Sequence, residues 1–123
     1  MEEAERESDN MTGMQVNVCL NYGSRNEITN AVKSIASDVA QGKISPDAIT
    51  EADVESRLYS AGTPAPDLLI RPGGEKRLSN YLLWQLAYSE MVFTDTLWPD
   101  FDEKTLNEAI IEFQKRNRRF GGI

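Results

Sequence analysis

The chain has 123 residues, which is enough for one hydrophobic core and predicts a single domain. Its net charge of -7 argues against non-specific nucleic-acid binding, and no stretch has the roughly 18 to 20 apolar residues of a membrane span. The sequence has no histidine, the commonest general base, and its single cysteine, Cys19, rules out a disulfide within these residues. We therefore expect a reducing compartment, the cytoplasm, and chemistry based on carboxylates and oxyanions.

The first part of the chain predicts a strand followed by a helix. Residues 1–13 are acidic and low in apolar content, so we expect a frayed end or the tip of a helix. Residues 14–20, MQVNVCL, alternate apolar and polar side chains and predict a strand. Ser24 and Glu27 have the spacing of a capping box, which predicts a helix that ends near Gly42.

The rest of the chain continues this alternation. Five elements are predicted in order: a helix from Thr50 to Gly62, a strand at 67–71, a helix at 80–89, a strand at 91–97 and a last helix opened by Asp100 or Asp102. The pattern indicates an α/β fold with a mainly parallel sheet and flanking helices. The strand at 67–71 is continuously apolar, as in a sheet buried on both faces. The helix at 80–89 is apolar nearly all round, so we expect another chain, or another part of this one, to cover it.

The segment that joins these two elements, residues 71–79 (RPGGEKRLS), is the cationic corner. Arg71 falls at the carboxyl end of a strand, where ligands of open α/β sheets collect. Gly73 and Gly74 allow a tight turn and can present bare N–H groups. Ser79 precedes the predicted helix start, which attracts anions. One interpretation of the corner is therefore a site for a small anion such as a phosphate group.

A second interpretation of the cationic corner is an ordinary surface turn. Glu75 would then pair with Arg77, and Ser79 would only cap the following helix. In the first interpretation the arginine fork grips phosphate oxygens and Glu75 aligns it. The residue pattern alone leaves both interpretations open.

Two acidic features also have two interpretations each. Glu90 is either a carboxylate held near a metal or, as the pattern favours, the polar end of a helix. A run of acidic residues follows it, which either attracts a divalent ion or is the solvated start of the last helix: Asp95, Asp100, Asp102 and Glu103.

Three segments carry a resemblance to a known family. The string LLIRPGGEKRLSNYLLWQLAYSEMVFTDTLWPDF at 68–101 closely resembles the C-terminal signature of the cis-prenyltransferases, the undecaprenyl diphosphate synthase family. NVCLNYGSRNEI at 17–28 and RRFGGI at 118–123 resemble two further blocks of that family. The resemblance implies a transferase that adds isopentenyl diphosphate, with cis geometry, to an allylic diphosphate such as farnesyl diphosphate. Its bacterial product resembles the undecaprenyl carrier lipid of cell-wall synthesis.

The resemblance also assigns roles within the cationic corner. Arg71, Arg77 and Ser79 correspond to positions that grip the diphosphate of isopentenyl diphosphate. Glu75 stands where the family also has a glutamate, which is expected to organise those arginines.

Magnesium and a homodimer are implied in the same way. Glu90 matches a position associated with Mg2+. Along a straight helix it would lie about 16 Å from Ser79, so we expect it to serve a second site or a partner subunit's site. The tail residues Arg119, Phe120 and Gly121 match a segment that reaches the neighbouring subunit's substrate site in family dimers.

The resemblance covers residues 14–123 and corresponds to the C-terminal half of a family member. The N-terminal half supplies the aspartate for magnesium and the tunnel for the growing product, so no catalytic residue is assigned in this chain. We expect a complex with a chain that supplies that half, with peripheral membrane contact through the lipid product. The alternative is a non-catalytic subunit or truncated fragment that supports a complete synthase through its tail.

Overall fold

The structure is a computed structural model, and it describes residues 2–116. Within this range the chain forms four α-helices and two β-strands: α1 Glu2–Ser8, α2 Ser24–Ala40, α3 Glu51–Glu55, β1 Leu68–Arg71, β2 Glu90–Phe93 and α4 Glu103–Gln114. Short 3-10 turns lie at Pro46–Ala48 and Trp98–Asp100. None of the described helices is long and apolar enough to cross a membrane.

The two strands form a parallel pair. Leu68 lies beside Glu90 and Arg71 lies beside Phe93, so the two carboxyl ends meet at one edge. This confirms the predicted α/β class with a parallel sheet and flanking helices. The expectation that β1 is buried on both faces is wrong, because all four of its residues are only half-buried.

Helices pack on this sheet and on each other through short apolar faces. α2 packs against α3, and α4 packs against β2. The hydrophobic side chains buried among the described residues are few: Ala31, Ile35, Leu58, Leu86, Val92 and Ala109. Such a small core leaves much apolar surface in contact with water.

The helix starts near residues 50 and 102 are confirmed. Thr50 and Asp53 form a capping box at the start of α3. The carboxylate of Asp102 accepts a hydrogen bond from the Thr105 N–H at 2.8 Å and caps α4. The continuation of α3 to Gly62 is wrong, because the helix ends at Glu55 and is followed by turns.

The predicted strand at 14–20 does not form. These residues belong to no sheet, and every one of them is exposed. An alternating pattern is local, whereas a strand needs a neighbour to pair its N–H and C=O groups. The described residues provide no such neighbour for this segment.

The predicted helix at 80–89 is also wrong. Ser79, Asn80 and Leu82 have φ angles of 50, 64 and 45°, which lie in the left-handed region and interrupt a right-handed helix. The segment runs as a series of turns. Its apolar residues are not buried on several sides, since Leu86 is buried but Tyr88 is exposed.

Candidate functional site

The turn of the cationic corner has the backbone that its glycines predict, but its N–H groups are used. Gly73 and Gly74 have φ angles of 90 and 73°. The Gly73 N–H donates to the Thr96 carbonyl at 2.8 Å, and the Gly74 N–H donates to the Thr94 carbonyl at 2.9 Å. The expectation of bare N–H groups is therefore wrong. These bonds instead fasten the turn after β1 to the chain that leaves β2.

Arg71 connects the start of the cationic corner to its end. Its Nη1 donates to the backbone carbonyl of Arg77 and, at 3.1 Å, to the hydroxyl oxygen of Ser79. Arg71 is half-buried as a whole residue, and these two bonds hold its guanidinium against the loop. Ser79 does not cap a helix, so that part of the surface-turn interpretation is wrong.

The corner's remaining charges lie at its tip. Arg77 and Glu75 form an ion pair in which 62% and 49% of the side chains are exposed. Lys76 is exposed between them. A Cβ added to Gly74 would meet the Asp95 carboxylate oxygen at 3.1 Å, so this acidic group borders the turn. Three cations against two carboxylates leave the corner with a net positive charge.

This arrangement suits an oxyanion. Both described hydrogen bonds of Arg71 use Nη1, which leaves Nη2 and Nε to donate to another acceptor. Ser79 can rotate its hydroxyl hydrogen toward the same acceptor. A second guanidinium and an ammonium stand at the exposed side, where they would attract a multiply charged anion.

The cationic corner is held by the first turn of α2, a connection that the sequence did not predict. The Ser24 N–H donates to the Asn80 carbonyl at 2.9 Å, and the Arg25 N–H donates to Asn80 Oδ1 at 2.9 Å. In return, Ser24 Oγ accepts the Leu83 N–H at 3.0 Å. A helix start leaves its first N–H groups without partners inside the helix, and two of them in α2, those of Ser24 and Arg25, are satisfied by the loop.

Gly23 allows this close approach. A Cβ at this position would lie 2.9 Å from the Asn80 side-chain nitrogen, closer than atoms of this kind pack. Gly23 is also the N-cap of α2, with no side-chain hydrogen bond of its own. Because Gly23 has no side chain, the Asn80 side chain can lie directly against the backbone at the start of α2.

Glu27 is the second feature that the sequence missed. The predicted capping box is wrong, because the N-cap of α2 is Gly23 rather than Ser24 and Glu27 is fully buried within the fold. Its carboxylate accepts hydrogen bonds from the Tyr59 N–H at 2.7 Å, the Tyr22 hydroxyl and Gln85 Nε2 at 3.3 Å. Burial of Tyr22, and then this hydrogen bond, raise the pKa of its phenol to about 12.

The Glu27 carboxylate also borders a groove of about 650 Å³. One wall is formed by residues 15–22, and the others come from the connector around Pro64 and the turns around Tyr81.

Glu90 lies at the opposite end of the sheet from the cationic corner. It is the first residue of β2, three positions before the partner of Arg71, which is about 10 Å along a strand. Its Oε2 accepts a hydrogen bond from Arg116 Nη1 at 2.9 Å, and Arg116 also bonds Glu112. Arg116 donates hydrogen bonds to both carboxylates. These bonds raise the pKa of its guanidinium, and the bond to Glu90 has the larger effect.

Metal ligands are not clustered in the part of the chain that the structure describes. No three of its acidic or cysteine side chains converge on a point, and this includes Glu90 and the acidic run at 95–103. The tail residues Arg119, Phe120 and Gly121 lie outside the described residues.

A parallel sheet with a positively charged loop at its carboxyl edge is an arrangement that suits small anions in α/β proteins. A prenyltransferase family model, that of undecaprenyl diphosphate synthase, matches residues 1–121. The chain belongs to this family.

Individual relatives agree with this assignment. The isoprenyl transferase of Geobacillus kaustophilus is 54% identical over all 123 residues, which are 48% of that protein. The structure of lavandulyl diphosphate synthase from Lavandula x intermedia, in complex with dimethylallyl diphosphate, is 42% identical and superposes with a TM-score of 0.94. A probable undecaprenyl diphosphate synthase from Campylobacter jejuni is 32% identical, with a TM-score of 0.77 over 98% of this chain and 54% of that one. The chain thus spans about half the length of its relatives.

Proposed function

We propose that the cationic corner binds the diphosphate group of isopentenyl diphosphate. The observation that carries this proposal is the hydrogen bond from Arg71 Nη1 to Ser79 Oγ at the carboxyl edge of the sheet. It places a guanidinium and a hydroxyl side by side, with Arg77 and Lys76 at the exposed side. A diphosphate carries several negative oxygens, and a guanidinium fork matches two of them at once.

Each residue of the corner has a distinct part in this proposal. Arg71 donates Nη2 and Nε to the phosphate oxygens while Nη1 keeps the loop closed. Ser79 adds a neutral donor, and Glu75 holds the Arg77 guanidinium until the anion draws it away. The solved relative that holds dimethylallyl diphosphate supports the class of ligand, because that molecule is itself a prenyl diphosphate.

The activity of the complete protein is proposed on the same basis. A cis-prenyltransferase joins isopentenyl diphosphate to an allylic diphosphate such as farnesyl diphosphate, and repeated additions give an undecaprenyl chain. This chain would hold the diphosphate of the incoming unit, and the matching other half of the fold would supply the catalytic aspartate. We assign no catalytic residue here. A homodimer, in which the tail at 119–121 reaches a second site, belongs to the same proposal.

Magnesium does not fit the described residues by themselves. The position between Glu90 and Glu112 is filled by the Arg116 guanidinium, and no third acidic ligand is nearby. Magnesium binds through one or two carboxylates together with substrate phosphates. A magnesium ion at Glu90 would therefore need ligands from another half or subunit.

The proposal is tested by calorimetric titration of the chain with isopentenyl diphosphate. Charge-assisted hydrogen bonds contribute about 1.5 to 3 kcal/mol, so Arg71→Ala should weaken binding roughly 10- to 100-fold. Lys104→Ala is the matched control, since it removes one exposed positive charge from the start of α4. A well-folded chain that shows no binding at millimolar ligand, or equal losses in both variants, rejects the proposal.

A further inference from the structure

Asp95 is a charged residue beside the cationic corner that has no part in the proposed diphosphate site. A Cβ added to Gly74 would lie 3.1 Å from Asp95 Oδ1, so this carboxylate lies against the Gly-Gly turn. The residue is exposed, and within residues 2–116 its carboxylate forms no hydrogen bond or ion pair. A negative charge without a partner therefore stands at the edge of a site for anions.

Backbone hydrogen bonds on both sides hold Asp95 in this place. The carbonyl of the preceding residue, Thr94, accepts the Gly74 N–H at 2.9 Å. The carbonyl of the following residue, Thr96, accepts the Gly73 N–H at 2.8 Å. The Thr96 N–H also donates to Thr94 Oγ1 at 3.2 Å, which tightens the turn around Asp95. The carboxylate can rotate, but the backbone that carries it is fastened to the corner.

The arginines of the corner lie close enough to Asp95 for its charge to act on their ligand. Gly74 is three residues from Arg71 and three from Arg77, which is at most about 11 Å along an extended chain. A diphosphate bound between these arginines therefore lies on the order of 10 Å from the Asp95 carboxylate, and charges still act on each other over this distance at about 0.1 M salt. Arg77 already has an ion-pair partner in Glu75, so it does not neutralise Asp95.

The effect of this carboxylate depends on the charge that the ligand carries. A free prenyl diphosphate has roughly three negative charges near neutral pH, since the last ionisation of a phosphate lies near pH 6. Its magnesium complex has roughly one, because the phosphate oxygens bind the divalent ion. Coulomb repulsion from Asp95 is proportional to the ligand charge, so it falls about threefold in the complex. An unpaired like charge is a means by which proteins reject one ligand in favour of another.

We propose that Asp95 is a specificity-determining residue, which makes the cationic corner favour a metal-complexed diphosphate over the free trianion. It acts by repelling the uncomplexed ligand, and it need not bind the metal. The inference rests on the proposed diphosphate site and adds to it the form of the ligand that the site prefers.

The test is calorimetric titration of the full chain with isopentenyl diphosphate, at low ionic strength, in EDTA and in saturating magnesium. Asp95→Asn removes the charge and keeps the size of the side chain, whereas Asp95→Glu keeps the charge. Asp47→Asn is the matched control, because it removes one exposed charge from the 3-10 turn at Pro46–Ala48. Urea denaturation verifies that each variant is folded.

In EDTA, Asp95→Asn should bind isopentenyl diphosphate about 3- to 10-fold more tightly than the unaltered chain does, because the repulsion is removed. Asp95→Glu and Asp47→Asn should stay within about twofold of the unaltered chain. The gain from Asp95→Asn should shrink in saturating magnesium and at high salt. A residue that only stabilised the turn would instead give weaker binding in every condition when replaced by asparagine.

The two proposals can fail separately. Metal-free binding by Asp95→Asn that is unchanged or weaker overturns the role of Asp95. An equal gain in magnesium, or an equal gain from Asp47→Asn, overturns it as well. The diphosphate site is still supported in these cases if the unaltered chain binds and Arg71→Ala loses affinity. No binding by the unaltered chain in either condition rejects both proposals.

Discussion

The Nη1 atom of Arg71 donates a hydrogen bond to the hydroxyl oxygen of Ser79, eight residues later, across 3.1 Å. This bond closes the cationic corner, so the two ends of the loop are held together without a helix between them. The first turn of α2 then fixes the closed loop through Asn80. A preformed site needs less ordering when an anion binds, and it therefore binds more tightly.

The identity of the cation at position 71 should matter, as well as its charge. Lysine keeps the charge but has no planar fork and cannot donate to Ser79 and a phosphate in the same geometry. We expect Arg71→Lys to recover only part of the affinity for isopentenyl diphosphate that Arg71→Ala loses. Calorimetry on the three proteins measures this, and full recovery by lysine would show that charge alone suffices.

Asn80 should stabilise the loop in two separable ways. Its side chain accepts the Arg25 N–H, and its backbone has a φ of 64°. Asn80→Gly keeps the backbone freedom and loses the hydrogen bond, which should lower the free energy of unfolding by about 1 kcal/mol. Asn80→Ala should cost roughly 1 kcal/mol more because of its Cβ. Urea denaturation measures the free energy of unfolding of both variants. Equal losses in the two would show that the left-handed backbone at position 80 carries no cost for alanine.

The same variants should weaken diphosphate binding, although residue 80 does not contact the ligand in this proposal. Asn80 positions Ser79 through the loop, so its loss should reduce affinity less than Arg71→Ala does. Asn80→Asp, which keeps an acceptor for the Arg25 N–H, is the conservative control and should bind more tightly than Asn80→Gly. If all three Asn80 variants bind like the unaltered chain, the α2 connection has no role in the site.

Glu27→Gln should be strongly destabilising. The carboxylate is fully buried and accepts hydrogen bonds from Tyr22, Tyr59 and Gln85, whereas an amide would turn a donor toward one of them. We expect a loss of about 2 kcal/mol in the free energy of unfolding. Glu55→Gln, at an exposed position at the end of α3, is the control and should be near neutral. A neutral Glu27→Gln would mean that these bonds are not formed.

Tyr22 should make the fold sensitive to alkaline pH. Its pKa is raised from 10.0 to about 12, so the folded state holds the proton more tightly than the unfolded state does. Its contribution is complete below pH 10 and is lost as the pH rises from 10 to about 12. Tyr22→Phe should remove that part of the decline in unfolding free energy. Denaturant midpoints at pH 9, 10.5 and 11.5 compare the two proteins, and parallel curves would contradict the raised pKa.

Glu90 should not contribute to diphosphate binding when magnesium is absent. It lies at the opposite end of the sheet from Arg71 and is paired with Arg116. We expect Glu90→Gln to leave the magnesium-free affinity for isopentenyl diphosphate unchanged and to alter only any increase that magnesium produces. Titrations with and without the metal separate these effects. A magnesium-free loss as large as that of Arg71→Ala would place Glu90 beside the corner.

Local patterns predicted what depends on neighbouring residues. The caps at Thr50 and Asp102, the parallel strands, the Gly-Gly turn and the proximity of Arg71 to Ser79 all follow from short-range spacing. Both interpretations of the cationic corner place Glu75 beside Arg77. The observed ion pair between them therefore does not decide between an anion site and a surface turn. The diphosphate role itself rests on the resemblance and stays a prediction.

Distant contacts explain the errors. The spacing of Ser24 and Glu27 fits a capping box, but the partners of Glu27 lie 32 and 58 residues away, at Tyr59 and Gln85. The apolar run at 80–89 resembles a helix, but α2 holds Asn80 in a left-handed conformation. No pattern within a window of ten residues contains that information.

The central claim is tested most directly by watching the arginine side chains themselves. In 15N-labelled protein titrated with isopentenyl diphosphate, the Nε–H signals of Arg71 and Arg77 should shift and saturate together. Arg57, which is bound to Asp38 at 2.7 Å, provides an internal control and should not move. Saturable shifts confined to the cationic corner are the predicted result. Equal drift of all three signals, or no shift at Arg71, would contradict a diphosphate site there.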